Sequence, residues 1–105
     1  MDCGLKTKTV SAIKDIFATN PKIKKVILFG SRAKGNYRPS SDIDLALKGN
    51  ELNHDDLFQL QEMAEELYLP WKMDMVIYSR ITEQALINHI ERVGVTFYKK
   101  NDTDY

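Results

Sequence analysis

The chain has 105 residues, 43% apolar and 29% charged, which suits one soluble domain and excludes extensive disorder. Fifteen basic and fifteen acidic side chains cancel, and with one cysteine, Cys3, no intrachain disulfide framework can form. No apolar run is long enough to cross a bilayer and no signal-peptide pattern opens the chain, so a cytoplasmic protein with no membrane contact is expected.

Residues 7–19 have Val10, Ile13 and Phe17 on one helical face, with Ile16 beside them, and Asn20-Pro21 ends the helix because a residue before proline avoids helical backbone. Lys24 to Phe29 reads as a buried strand, broken by Gly30-Ser31. A short helix from Arg32 stops at Gly35, and Asn36 to Ser41 forms a loop. Asp42 to Leu47 reads as a second strand. Asn53 is an N-cap for a helix to about Leu67, with Leu57, Leu60, Ala64 and Leu67 as its apolar stripe. Lys72 to Tyr78 forms a third strand, residues 80–92 a last helix with Leu86, Ile90 and Val93 inward, and Val95 to Tyr98 a closing strand or extended tail. This order predicts an α/β (α+β) domain with helices against a small sheet. Cys3 falls in an expected frayed terminus, Trp71 reads as a core or hinge anchor, His54 as exposed and His89 as packed rather than ligating.

Charge is not evenly spread. Residues 1–38 carry nine Lys or Arg against two Asp, a sum of +7, and residues 39–77 carry nine Asp or Glu against two Lys, a sum of −7. The neutral total makes nucleic acid an unexpected direct ligand. The split fits either a cleft with cations facing carboxylates or two solvated surfaces of opposite sign.

Two features depart from local rules. Asp42 and Asp44, two apart in an apolar strand, share one face, so each resists ionising beside the other unless a hard cation such as Mg²⁺ or Mn²⁺ lies between them. Asp74, thirty positions after Asp44 in another apolar run, completes a three-carboxylate set if the two strands are neighbours. The second feature is Phe29-Gly30-Ser31-Arg32, a strand running into a glycine and a serine at a helix start, where backbone N–H groups and the serine hydroxyl can bind phosphate. Arg32, Lys34 and Arg38 add positive charge nearby.

Gly30-Ser31, ten residues, Asp42-x-Asp44 and a distant Asp74 together resemble the nucleotidyltransferase superfamily that includes DNA polymerase beta. In detail, Phe-Gly-Ser-Arg-Ala-Lys-Gly, Ser-Asp-Ile-Asp-Leu-Ala and Leu-Pro-Trp-Lys-Met-Asp resemble the minimal nucleotidyltransferases (MNT), the small partners of HEPN/MNT toxin–antitoxin pairs. The resemblance spans about residues 22–98 of a single 1–105 domain and implies a small mixed sheet of polymerase beta type. It further implies that Asp42, Asp44 and Asp74 are catalytic and hold two Mg²⁺ ions (Mn²⁺ as substitute), and that Gly30 and Ser31, with Arg32 and Lys34, bind an NTP, ATP foremost. The implied reaction passes AMP to a tyrosine of a HEPN toxin and silences it. A non-catalytic antitoxin that neutralises its partner by binding is the alternative, and homo- or hetero-oligomers are both open.

Overall fold

The computed structural model describes residues 3–100. Helix α1 (Thr7–Ala18) leads to strand β1 (Lys25–Phe29), the single-turn helix α2 (Ser31–Lys34) and strand β2 (Ile43–Lys48). Helix α3 (His54–Glu65), strand β3 (Met73–Ile77), a 3-10 turn (Tyr78–Arg80), helix α4 (Gln84–Val93) and strand β4 (Val95–Lys99) follow. The four strands form one mixed sheet in the order β3-β2-β1-β4, with β2 and β3 parallel and the other pairs antiparallel.

Alternation of side chains along the strands builds two apolar layers. Val26 and Leu28 of β1, Ile43, Leu45 and Leu47 of β2 and Met73, Met75 and Ile77 of β3 face one way, against Ile13, Ile16 and Phe17 of α1 and Leu60 and Ala64 of α3. Ile27, Phe29 and Ala46 face the other way, against Ile90 of α4, with Val76 and Leu86 packed beside them. By the same alternation Asp44 and Asp74 fall on the α4 face. Their strands' purely apolar faces lie under α1 and α3.

Several expectations shift. The last helix starts at Gln84 rather than residue 80, because the chain leaving β3 first takes the 3-10 turn, and Val95–Lys99 is a full strand paired with β1 rather than a tail. The ladder of β2 begins at Ile43, one residue after Asp42. Ser41 ties the preceding turn: its N–H donates to the Arg38 carbonyl at 2.9 Å, and its Oγ accepts the Arg38 N–H at 2.8 Å. Cys3 is 1% exposed and belongs to the α1–α3 layer, so the frayed-terminus reading fails at that residue.

Candidate active site

The parallel pairing of β2 with β3 sets Asp44 directly beside Asp74 in register, one strand spacing apart, about 4.8 Å between backbones. Asp42 is exposed, just ahead of β2. The Asp44 carboxyl is raised above the ordinary carboxylate range, first by burial, then by the charges of Asp74 and Asp42. Three carboxylates are thus within electrostatic reach of one another at one end of the sheet. Lys72 Nζ lies 3.6 Å from Asp74 Oδ1, but both side chains are well exposed, so this pair offsets little of the repulsion.

Antiparallel pairing puts Phe29, the last residue of β1, opposite Asp44, so the turn after β1 arrives at the carboxylates. Gly30 there has φ 76° and ψ −158°, a conformation L side chains avoid, and a Cβ at this position would collide with Asp44 Oδ2. Only glycine lets the backbone pass this close to Asp44. Ser31 follows as the first residue of α2, half-buried, and the first N–H groups of any helix lack an acceptor within it. Because α2 has a single turn, an anion at this end would meet the local N–H groups and the Ser31 hydroxyl more than a helix dipole.

Arg32 is the clear departure from the expected site. It is 2% exposed, and its guanidinium donates to the carbonyls of Cys3 (2.8 Å), Ser41 (3.1 Å) and Pro39 (3.3 Å). It also lies against the rings of Trp71 (5.2 Å) and Tyr37 (5.4 Å). Its donors point into the protein, so it is neither a phosphate ligand nor a solvated helix residue; it pins the loop ahead of β2. Trp71 is the anchor expected of it, donating from Nε1 to the Pro39 carbonyl at 2.6 Å. Lys34 is exposed at the end of α2. His54 is exposed at the start of α3.

The sequence pattern assigns His89 to packing. Its ring does meet Phe29 edge-on at 6.1 Å, but its Nε2 also accepts the Gly30 N–H at 3.2 Å. No sequence signal links residues fifty-nine apart; only the seating of α4 on β1 brings them together.

Among the described residues, no group of three His, Cys, Asp or Glu side chains closes tightly enough to hold an ion. The donor set nonetheless fits a hard divalent cation: all ligands would be carboxylate oxygens, and the burial and like charges that hold Asp44 up are what such a cation relieves. Beside Asp74, at the sheet edge, a cavity of about 440 Å³ opens between the end of α3 and β3, bordered by Glu65, Tyr68 and Trp71.

A mixed sheet that brings a glycine-serine turn and paired acidic residues to one end defines a nucleotidyltransferase. The family described as polymerase beta, nucleotidyltransferase matches residues 11–103, and the chain belongs to it. A Methanocaldococcus jannaschii relative bearing the name protein adenylyltransferase is 32% identical, covering 80% of this chain and 93% of its own. A Haemophilus influenzae relative named protein adenylyltransferase MntA is 30% identical over 94% of this chain and 87% of its own. Among solved structures, a toxin–antitoxin with AMP-PNP superposes with TM-score 0.69 at 24% identity, covering 88% of this chain and 74% of that one. A tri-AMPylated Shewanella oneidensis HEPN toxin in complex with MNT antitoxin gives 0.66 at 20%, covering 90% and 73%. These superpositions support the mixed-sheet fold expected from the sequence.

Proposed function

We propose that the chain is a divalent-metal-dependent protein adenylyltransferase that transfers AMP from ATP to a tyrosine hydroxyl of a HEPN partner, and so acts as an antitoxin. The observation that carries this is the Asp44–Asp74 register pair beside a Gly30 whose missing Cβ leaves room for the Asp44 carboxylate. A binding module gains nothing from placing like charges side by side. The names of the Haemophilus and Methanocaldococcus relatives and the Shewanella complex support the acceptor class.

In this reading Asp42, Asp44 and Asp74 hold Mg²⁺, with Mn²⁺ as substitute; when bound, the metal neutralises charge on the phosphoryl oxygens of the displacement. The turn N–H groups and the Ser31 hydroxyl take the β- and γ-phosphates, which orients the α-phosphorus. The acceptor oxygen bonds to that phosphorus, the bond to the β-phosphate oxygen breaks, and pyrophosphate leaves. The proton of the attacking hydroxyl passes to the half-exposed Asp74, which can release it to water. The open space beside Asp74 gives the acceptor room to approach.

The test is label transfer. With ATP labelled at the α-phosphate, Mg²⁺ and the protein encoded by the adjacent gene, the neighbour should become labelled, and Asp42→Asn with Asp44→Asn should abolish labelling while leaving the complex intact. If this double variant neutralises its partner as well as the wild type, neutralisation is by occlusion and the enzymatic account fails.

A further inference from the structure

The catalytic turn has a partner that the reaction scheme leaves unused. Gly30 sits at the end of β1, after the last pair with β2, in a positive-φ conformation that is one of several a glycine adopts at little cost, so its neighbours decide whether it is kept. Its N–H would be the obvious donor to a phosphate. Instead it donates to His89 Nε2 at 3.2 Å, from a ring that itself rests edge-on against Phe29 at 6.1 Å. Accepting at Nε2 leaves the ring proton on Nδ1, so the contact selects the tautomer as well as the orientation. Two neighbours thus bracket the turn: the Asp44 carboxylate fills the space a Cβ would need, and the imidazole on α4 takes the N–H.

We propose that His89 is a positioning residue of the nucleotide site: its Nε2 holds the Gly30 N–H and locks the turn so that Ser31 presents its donors to the triphosphate without prior rearrangement. The inference rests on the nucleotidyl-transfer reading. It assigns the β- and γ-phosphates to the Ser31 N–H and hydroxyl and to the next N–H, and removes Gly30 from the donor set. The lock serves binding more than chemistry, since the ordering of the turn is complete before the nucleotide arrives.

Two variants and one wild-type measurement test it. His89→Leu keeps a packing side chain but no acceptor; His89→Gln restores an acceptor at similar reach. Binding of AMP-PNP with Mg²⁺ should weaken about five- to tenfold in His89→Leu, the scale of one lost hydrogen bond at an ordered turn. KM for ATP should rise by the same factor while kcat changes less than about threefold, the signature of lost uniform binding. His89→Gln should recover most of the loss. Unchanged AMP-PNP affinity in His89→Leu overturns the proposal. Tighter binding also does so, because it would mean the imidazole competes with phosphate for the N–H. A fall in kcat alone, or a His89→Gln variant as weak as His89→Leu, rules out the acceptor role. If His89→Leu fails to fold, amide exchange in the wild type decides: Gly30 should be protected with and without AMP-PNP, and fast exchange in the free protein ends the case. Failure of the parent reading is separately visible, as a wild type that binds AMP-PNP but, like Asp42→Asn with Asp44→Asn, transfers no AMP.

Discussion

Arg32 carries a full positive charge into the interior without a carboxylate beside it among the described residues. Three backbone carbonyls and two aromatic faces replace its water, and the planar guanidinium is suited to reach all of them at once. A lysine has one charged nitrogen at the end of a flexible stem and cannot span Cys3, Pro39 and Ser41 together. Arg32→Lys should therefore lower unfolding free energy by about 2–4 kcal/mol, through carbonyls left without donors, and Arg32→Ala by more. Urea unfolding measures this; a lysine variant as stable as wild type would show that the carbonyls find other donors. Gly30, Asp42, Asp44 and Asp74 stand out in the sequence as site candidates because each breaks a local rule, a glycine after a buried strand or a charge within an apolar run, and Ser31 stands out only beside Gly30. Arg32 was misread because nothing local distinguishes an inward guanidinium from a solvated one. The carbonyls that receive it come from residue 3 and from the loop 39–41, so its burial is a tertiary fact.

Helix α3 shows how a local signal and a distant partner reinforce each other. Asn53 caps it by accepting the Asp56 N–H at 3.1 Å, and Asp56 returns the bond by accepting the Asn53 N–H at 3.0 Å. Burial acts to raise the Asp56 carboxyl, but Lys22 Nζ (3.0 and 3.2 Å), the Asn53 N–H and Asn20 Nδ2 (3.0 Å) donate to it and together hold it below the usual carboxylate range. A carboxyl depressed by folding contributes stability that is present above its unfolded value, about 3.9, and is lost as pH falls through its folded value. Asp56→Asn should be less stable than wild type near neutral pH by about 1–2 kcal/mol, and the gap should narrow as pH drops from about 5 to 2. Parallel urea titrations across that range check this; a constant gap would mean the ionised form has no special role. The cap was legible from Asn53 and the acidic first turn, and the strands from their apolar density. The start of α4 was not, because Tyr78 to Arg80 carry no glycine or proline to mark the 3-10 segment. Nor could local pattern show that β2 and β3 are parallel, the fact that pairs Asp44 with Asp74. The resemblance implied only that Asp74 completes the site.

Across the molecule, the +7 and −7 segments meet away from the carboxylate end, where Lys22 and Lys24 border a cavity with Glu51. Lys22 reaches Asp56, but Lys24, Lys25, Lys48, Lys99 and Lys100 line one cavity of about 320 Å³ at the sheet end opposite the carboxylates. Lys25 pairs in register with both Lys48 and Lys99, so three cations stand abreast on neighbouring strands. Like charges so placed cost stability. Lys25→Thr should raise it by about 0.5 kcal/mol in low salt, with the gain shrinking as ionic strength approaches about 1 M. No gain at low salt would mean the stems' packing outweighs the repulsion. The carboxylate end is strained in the same sense but has a different remedy. Asp44, held high by burial, Asp74 and Asp42, costs stability when ionised in the metal-free protein: a carboxyl raised by folding favours the fold below its unfolded value and loses that contribution as pH rises through the folded value. Asp44→Asn removes the charge, so without divalent ions it should melt above wild type at neutral pH. Mg²⁺ or Mn²⁺ should reverse the order, because a ligand at about 100 times its dissociation constant adds about 2.7 kcal/mol to the form that binds it and nothing to one that does not. Melting curves with chelator and with millimolar divalent ion should therefore cross over between the two proteins, while added NaCl at matched ionic strength should not reproduce the wild-type gain. An Asp44→Asn protein that melts lower without metal, or gains as much from Mg²⁺ as wild type, would show that Asp44 is not where the cation binds.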